Sequence, residues 1–136
     1  MKYHVVSALL FILAAAMSIP ALAKNIHIEI ITENGCPVAV EPDESCAGSG
    51  EDVCFKKGVP NKVTWKYKGS SQGKPDFQIV MKSSADHMIF TDGCHDSAKS
   101  VACEISDSAP VGSYAYSVIN ADGCEYDPRI IINDDD

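Results

Sequence analysis

The sequence is poor in the side chains and motifs on which most catalysis and nucleic-acid binding depend. It has 11 Lys and Arg against 19 Asp and Glu, a formal net charge of −8, so its surface repels nucleic acids and anionic lipids. It has four His, and it contains no H-E-x-x-H zinc motif, no C-x-x-C pair and no glycine-rich phosphate loop. We therefore predict a protein that is not an enzyme, holds no cofactor and binds no nucleic acid.

The first 23 residues have the form of a secretory signal. A basic start is followed by an apolar run over residues 5–17 and by Ala21-x-Ala23, a small-residue cleavage site. The apolar run is too short to span a bilayer, so we expect no membrane insertion after the signal is removed. The signal predicts export, to the periplasm or out of the cell, and a mature single domain over residues 24–136.

Six cysteines follow the signal, and an even number of cysteines in an oxidising compartment predicts three disulfides. Six cysteines allow fifteen pairings in principle. We predict Cys46 with Cys54 and Cys94 with Cys103, because each of these pairs closes a short polar loop. By elimination, Cys36 is then expected to pair with Cys124.

Apolar and polar residues alternate in many short segments, and no window shows the apolar period of an α-helix. The alternation predicts about seven to nine strands, with Trp65, the only tryptophan, in the core. The candidate strands are residues 25–32, 36–40, 53–56, 62–68, 77–82, 87–90, 101–105, 112–118 and 129–133. This pattern indicates an all-β fold, an antiparallel Greek-key β-sandwich stapled by disulfides, and by itself it leaves a barrel open.

Two segments resemble the cupredoxin-like β-sandwich family: a turn at Gly58 that leads into V-T-W at residues 63–65, and P-V-G-S-Y-A-Y at residues 110–116. The late pattern also occurs, as G-x-Y-x-C, in immunoglobulin-like sandwiches. The cupredoxin resemblance implies a copper site of one Cys, two His and usually a Met, with the Cys directly after the aromatic strand. Here Val118 holds that position, and residues 119–126 contain neither His nor Met. The resemblance therefore implies the scaffold without its copper.

A different copper site is the main alternative. His87, Met88, Cys94 and His95 offer imidazole, thioether and thiolate groups, and would make the protein a periplasmic copper-handling protein. Against this, Cys94 has an obvious disulfide partner in Cys103. His27 and Glu29 share one face of a strand and could act as ligands or as an acid and a base, although a solvent-facing polar row is more usual.

Our leading hypothesis is an exported binding or interaction module, which engages another protein or a small ligand through loops at one end of the sandwich. The candidate loops are residues 41–52 and 92–100. Inhibition of a secreted hydrolase fits the same features. The acidic residues of the first loop could instead bind Ca²⁺, and a row of Lys62, Lys66 and Lys68 could dock an acidic partner or protect a sheet edge.

Overall fold

Ten β-strands form the computed structural model, which describes residues 24–59, 61–83, 89–97 and 99–134. The strands are β1 (Lys24–Glu33), β2 (Cys36–Pro42), β3 (Val53–Lys56), β4 (Asn61–Tyr67), β5 (Phe77–Met81), β6 (Phe90–Ser97), β7 (Ser100–Ile105), β8 (Gly112–Asn120), β9 (Glu125–Tyr126) and β10 (Arg129–Asn133). The all-β prediction is confirmed, and the short strand β9 is an addition to it. Of the candidate strand 87–90, Phe90 begins β6 and Ile89 lies just before it. Within the described ranges, no helix has the length and apolar character that a membrane crossing requires. The predicted signal, His87 and Met88 lie outside these ranges.

The strands form two sheets that pack face to face. The first sheet has the order β2-β1-β4-β7-β6, and the second has the order β3-β10-β8-β5, with β9 pairing to β8. Most neighbours are antiparallel, but β1 and β4 run parallel, and so do β3 and β10. The predicted sandwich is confirmed, but these two strand pairs are parallel and not antiparallel; for β1 and β4 the reason is that the chain passes from β2 to β3 in the other sheet before it returns as β4. The alternation of apolar and polar residues shows which face of a strand is buried. It does not show whether the neighbouring strand runs parallel or antiparallel.

The core lies between the sheets, where the apolar positions of each strand meet. Trp65 of β4 and Tyr116 of β8 are both fully buried, and their rings contact edge to face with centroids 5.4 Å apart. Tyr67 and Phe77 make a second edge-to-face pair between the sheets, at 5.2 Å. This interior of two facing sheets is a sandwich, so the structure settles the choice between a sandwich and a barrel.

The three disulfides join the same cysteines that the sequence analysis paired, and no described cysteine is free. Cys36–Cys124 ties the β1–β2 turn to the β8–β9 turn, and so links the two sheets. Cys46–Cys54 closes the acidic segment that precedes β3, and Cys94–Cys103 bridges directly opposed residues of β6 and β7.

The polar segment 92–100, which we expected to be a loop, is instead mostly the edge strand β6. Its residues pair with β7 in the register Cys94 with Cys103 and His95 with Ala102. An edge strand with one solvated face needs little apolar alternation, and the disulfide and the backbone ladder hold it. A bulge with Gly93 at φ +79° separates the apolar start of β6 from this polar part.

The two predicted binding segments lie at opposite edges of the first sheet. Segment 41–52 follows β2, which is one edge of the first sheet, whereas β6 is the opposite edge of the same sheet. The expectation of a single binding surface made from both segments is therefore wrong.

Candidate functional site: a cleft between the two sheets

A cleft of about 360 Å³ opens where β6, the edge of the first sheet, approaches β5, the edge of the second sheet. The end of β8 and the turn after it form its third wall. The lining residues are Asp76, Phe77, Gln78, Asp96, Ser97, Ile119, Asn120 and Ala121. Asp96 and Ser97 belong to the segment 92–100 that the sequence analysis singled out, although they lie on a strand and not on a loop.

Backbone pairing fixes the wall that β5 and β8 share. Phe77 pairs with Asn120 and Gln78 with Ile119, and the Ala121 N–H donates to the Asp76 carbonyl at 2.8 Å. These backbone hydrogen bonds fix the positions from which the side chains of this wall project.

Asn120 holds the turn beyond that wall. Its side chain is 4 % exposed, and its Oδ1 accepts hydrogen bonds from the backbone N–H groups of Asp122 and Cys124 at 3.1 and 2.9 Å. Its Nδ2 donates to the Gly35 carbonyl at 2.7 Å, close to the disulfide of Cys36 with Cys124. An Asn that mimics a backbone turn in this way is typical of tight reversals, and here it also connects the two sheets.

The cleft carries negative charge on two of its walls. The Asp76 carboxylate binds the Lys99 ammonium with Nζ and Oδ1 3.0 Å apart, and the same ammonium donates to the Lys74 carbonyl. Asp96, on the facing strand, is exposed and has no ion-pair partner among the described residues. The negative charge also acts on Tyr67. Burial and, next, the charges of Asp76 and Asp122 raise the pKa of the Tyr67 phenol.

Both hydrogen-bonding groups and apolar side chains line the cleft. The two carboxylates, the Gln78 amide and the Ser97 hydroxyl can accept hydrogen bonds, while Phe77 and Ile119 provide apolar contact. A concave site with an apolar wall and a few convergent polar groups is the usual form of a ligand site. The cleft can therefore bind a small polar group and position it by hydrogen bonds.

The copper candidates do not assemble in the described part of the chain. Cys94 is bonded to Cys103 and offers no thiolate, and His95 stands exposed on β6 opposite Ala102. Across the described ranges no group of three or more His, Cys, Asp or Glu has a geometry that could hold a metal ion. Val118, at the position that the resemblance gives to the copper thiolate, is fully buried in the core.

The other polar side chains that the sequence singled out lie on the outer face of the first sheet. His27 and His95 fall in one cross-strand row, with Thr64 and Ala102 between them. Three strand spacings of about 4.8 Å separate their strands, which is too far for the two to share one ligand. His27 and Glu29 line a shallow depression of about 290 Å³, with Lys66 on its other side.

Each of the five carboxylates in segment 41–52 has its own partner, so they do not converge on one point as a calcium site requires. Asp52 is 7 % exposed and binds Arg129, whose Nη2 lies 2.6 Å from its Oδ2. The remaining partners are Lys68 for Glu41, the His27 N–H for Asp43, Lys24 for Glu44 and the Tyr126 hydroxyl for Glu51.

The predicted lysine row is interleaved with acidic residues. Lys62 is in register with Glu104 and Lys66 with Glu29, and Lys68 forms an ion pair with Glu41. The row is therefore a mixed face and not a continuous positive surface.

The sequence also contains one catalytic-type motif that was not predicted above. Residues 69–73 read G-S-S-Q-G, which has the spacing of the nucleophile elbow of α/β-hydrolases. That motif needs a sharp turn between a strand and a helix, whereas this segment is the loop between strands β4 and β5. Its polar groups serve the loop itself: the Ser70 hydroxyl accepts from the Gln72 N–H at 3.2 Å, and the Ser71 carbonyl accepts from the Lys74 N–H at 3.1 Å. The spacing here marks a turn-rich loop.

Comparisons with known proteins name no family for the chain. No protein-family model matches the sequence, and no curated protein matches it. Among solved structures, the chain is similar to the crystal structure of Fet3p, a multicopper oxidase that functions in iron import, with 16% sequence identity and a TM-score of 0.40. The match covers 84% of this chain and 23% of that one, so the chain spans about a quarter of the oxidase's length. A likeness of this size carries no argument about function.

Proposed function

We propose that the protein is an exported binding module, a β-sandwich of cupredoxin-like build without copper, which holds part of a partner protein or a small ligand in the cleft between β5, β6 and β8. The observation that carries this proposal is the cleft itself, where three separate strands bring polar groups around an apolar wall.

Export is supported by the three disulfides together with the predicted signal. Disulfides form and persist in the periplasm and outside the cell, and a small domain there often depends on them for stability. The proposed location is therefore the periplasm or the extracellular medium.

The position of the cleft supports the proposal that a cupredoxin-like scaffold here binds a ligand other than copper. In the cupredoxin resemblance, the segment after the aromatic strand supplies copper ligands. In this chain the corresponding residues Ile119, Asn120 and Ala121 line the cleft, and the groups around them are mainly oxygen and amide groups. A fold that retains the place of a site can exchange its chemistry, since function resides in the side chains and not in the fold.

A fragment screen by nuclear magnetic resonance tests this proposal. We expect polar fragments to shift the backbone amides of residues 76–78, 96–97 and 119–121, and these shifts to disappear in Ala121→Trp. Ala121 is exposed and lines the cleft, so the added indole fills the site without entering the core.

Ala47→Trp is the matched control, because it places the same indole on an exposed position of segment 41–52, away from the cleft. It should leave the fragment-induced shifts unchanged. Shifts that cluster on another surface, or that survive in Ala121→Trp, would show that the binding site lies elsewhere.

A further inference from the structure

We infer that the cleft binds a positively charged nitrogen group carried on an aliphatic stem, an alkylammonium or an alkylguanidinium. The source is either a Lys or Arg side chain of a partner protein or a free small amine. This inference rests on the proposed binding function and assigns the chemical class of its ligand.

The chain itself places an ammonium group at the rim of the cleft. Lys99, in the turn between β6 and β7, reaches Asp76 at 3.0 Å and also donates to the Lys74 carbonyl. A carboxylate and a backbone carbonyl therefore already surround one cation at this rim. This ion pair is exposed, with the Asp76 side chain 63 % accessible, so the Asp76 carboxylate can be reached by a second cation as well.

Asp96 offers the second anchor. It lies on β6, across the cleft from Asp76, and within the described ranges it has no ion-pair partner. Ser97 and Gln78 add hydrogen-bond acceptors on the same two walls. An ammonium has three N–H donors and a guanidinium has five, so either group can use several of these acceptors at once.

The apolar wall suits the stem of such a group. Phe77 is 4 % exposed and Ile119 is half-buried, and both line the cleft beside the polar groups. Lys and Arg side chains commonly lay their methylene groups along apolar surface while the charged end meets polar atoms. A short cation without a stem would make only the polar part of these contacts.

Lys99 then acts as a built-in competitor. Its ammonium occupies Asp76, so an incoming cation must share or replace that ion pair. Removal of the Lys99 charge should strengthen binding, whereas removal of the Asp96 charge should weaken it. General electrostatic attraction to an acidic protein would give the same two signs, so a local cation site is distinguished by a third variant, which removes a negative charge far from the cleft and should have no effect.

The test uses N-acetyl-arginine amide and N-acetyl-citrulline amide, which have nearly the same shape but differ in charge. Titrations followed by the amide shifts of residues 76–78, 96–97 and 119–121 give the affinity for each probe. We expect the arginine probe to bind more tightly, by about twofold to fivefold for each exposed charge pair, and to weaken with added salt.

Variants of the same protein complete the test. Asp96→Asn should lower the affinity for the arginine probe about twofold to fivefold, and Lys99→Gln should raise that affinity by a similar factor. Lys99→Arg, which keeps the charge, should bind the probe like the native protein. Asp107→Asn removes one negative charge at the other end of the sandwich and should change nothing.

Three results separate the two proposals. Equal affinity for both probes overturns the inference and leaves the binding function intact, and so does a cleft that takes fragments but neither probe. A cleft that takes neither fragments nor probes overturns the binding function itself. Butylguanidinium, which has one positive charge and an aliphatic stem but no peptide groups, distinguishes the sources: binding as tight as that of the arginine probe supports a free amine, and weaker binding supports a side chain with its backbone.

Discussion

The indole of Trp65 and the phenol of Tyr116 meet across the centre of the sandwich, one from each sheet. The Trp65 Nε1–H donates to the Tyr116 oxygen at 3.0 Å, and the two rings lie edge to face with a 69° angle between their planes. Both side chains are fully buried, and burial is the main reason why the pKa of the Tyr116 phenol is raised. The hydrogen bond thus satisfies the polar atoms that two large aromatic residues bring into the core.

Tyr116→Phe should lower the free energy of unfolding by about 1–3 kcal/mol, because it leaves the buried indole N–H of Trp65 without an acceptor. Chemical denaturation followed by tryptophan fluorescence measures the change, since Trp65 is the only tryptophan.

Tyr67→Phe is the matched control. In the native protein the Tyr67 hydroxyl donates to the half-buried Pro75 carbonyl at 2.7 Å. Water can reach that carbonyl when the hydroxyl is absent. We expect a smaller loss, about 0.5–1.5 kcal/mol. A loss from Tyr116→Phe no larger than this would show that the Trp65 hydrogen bond adds nothing to stability.

The disulfides should differ in what they contribute. Cys36–Cys124 spans 88 residues and Cys46–Cys54 spans 8, and the cysteines of both pairs are half-buried. In the chain-entropy view, a longer closed loop restricts the unfolded chain more, so the double Ala variants should lose about 4–5 and about 2–3 kcal/mol respectively. Denaturation of the two variants under the same conditions gives the order, and the reverse order would contradict the prediction.

The strands that the sequence predicts best are those with one buried and one solvated face. In β4 the side chains of Val63, Trp65 and Tyr67 are buried while Lys62 and Lys66 are exposed, and this contrast is visible as alternation. The strand β6 shows no such contrast, because it lies at a sheet edge and is held by a disulfide. Its polar residues therefore resemble those of a loop.

The cleft could not be predicted as a whole, because its walls come from three distant parts of the sequence. Asp76, Asp96 and Asn120 are ordinary turn and surface residue types, and only the order of strands in the two sheets brings them together.

The burial of Ser117 could not be predicted from the sequence either. Alternation places it correctly on the outer face of β8, yet it is 2 % exposed because Glu125, Asp127 and Lys82 cover it.

Tyr126 should titrate unusually late. Burial and, next, its hydrogen bond to Glu51 raise its pKa from 10.0 to about 12. Because the folded state holds this proton more tightly than the unfolded state does, the associated stability is present below pH 10.0 and is lost as the pH rises towards about 12. The difference in tyrosinate absorbance between the native protein and Tyr126→Phe gives the midpoint.

Glu51→Gln should lower that midpoint but leave it above 10.0, since burial is the larger cause of the shift. Glu44→Gln is the control, because Glu44 binds Lys24 and does not contact Tyr126. A midpoint unchanged in Glu51→Gln would show that the Tyr126–Glu51 hydrogen bond does not act on the phenol in solution.

Lys82 should make the protein sensitive to acid through two carboxylates. Its ammonium lies 2.7 Å from Glu125 and 2.9 Å from Asp127, and these hydrogen bonds are the first cause of the lowered pKa of each carboxyl group. Since the folded state holds these protons less tightly, the resulting stability is present above the ordinary pKa values of 4.5 and 3.8 and is lost as the pH falls below them.

Lys82→Met should therefore be less stable than the native protein at neutral pH, and the difference should shrink as the pH falls below 4.5, the ordinary pKa of a Glu such as Glu125. Lys57→Met removes an exposed lysine that has no ion pair among the described residues, so any difference it makes should not depend on pH in this range. Urea denaturation at a series of pH values measures both variants. If the difference for Lys82→Met stays constant as the carboxylates become protonated, Lys82 contributes through its methylene packing and not through its charge, because only a contribution from charge requires Glu125 and Asp127 to be ionised.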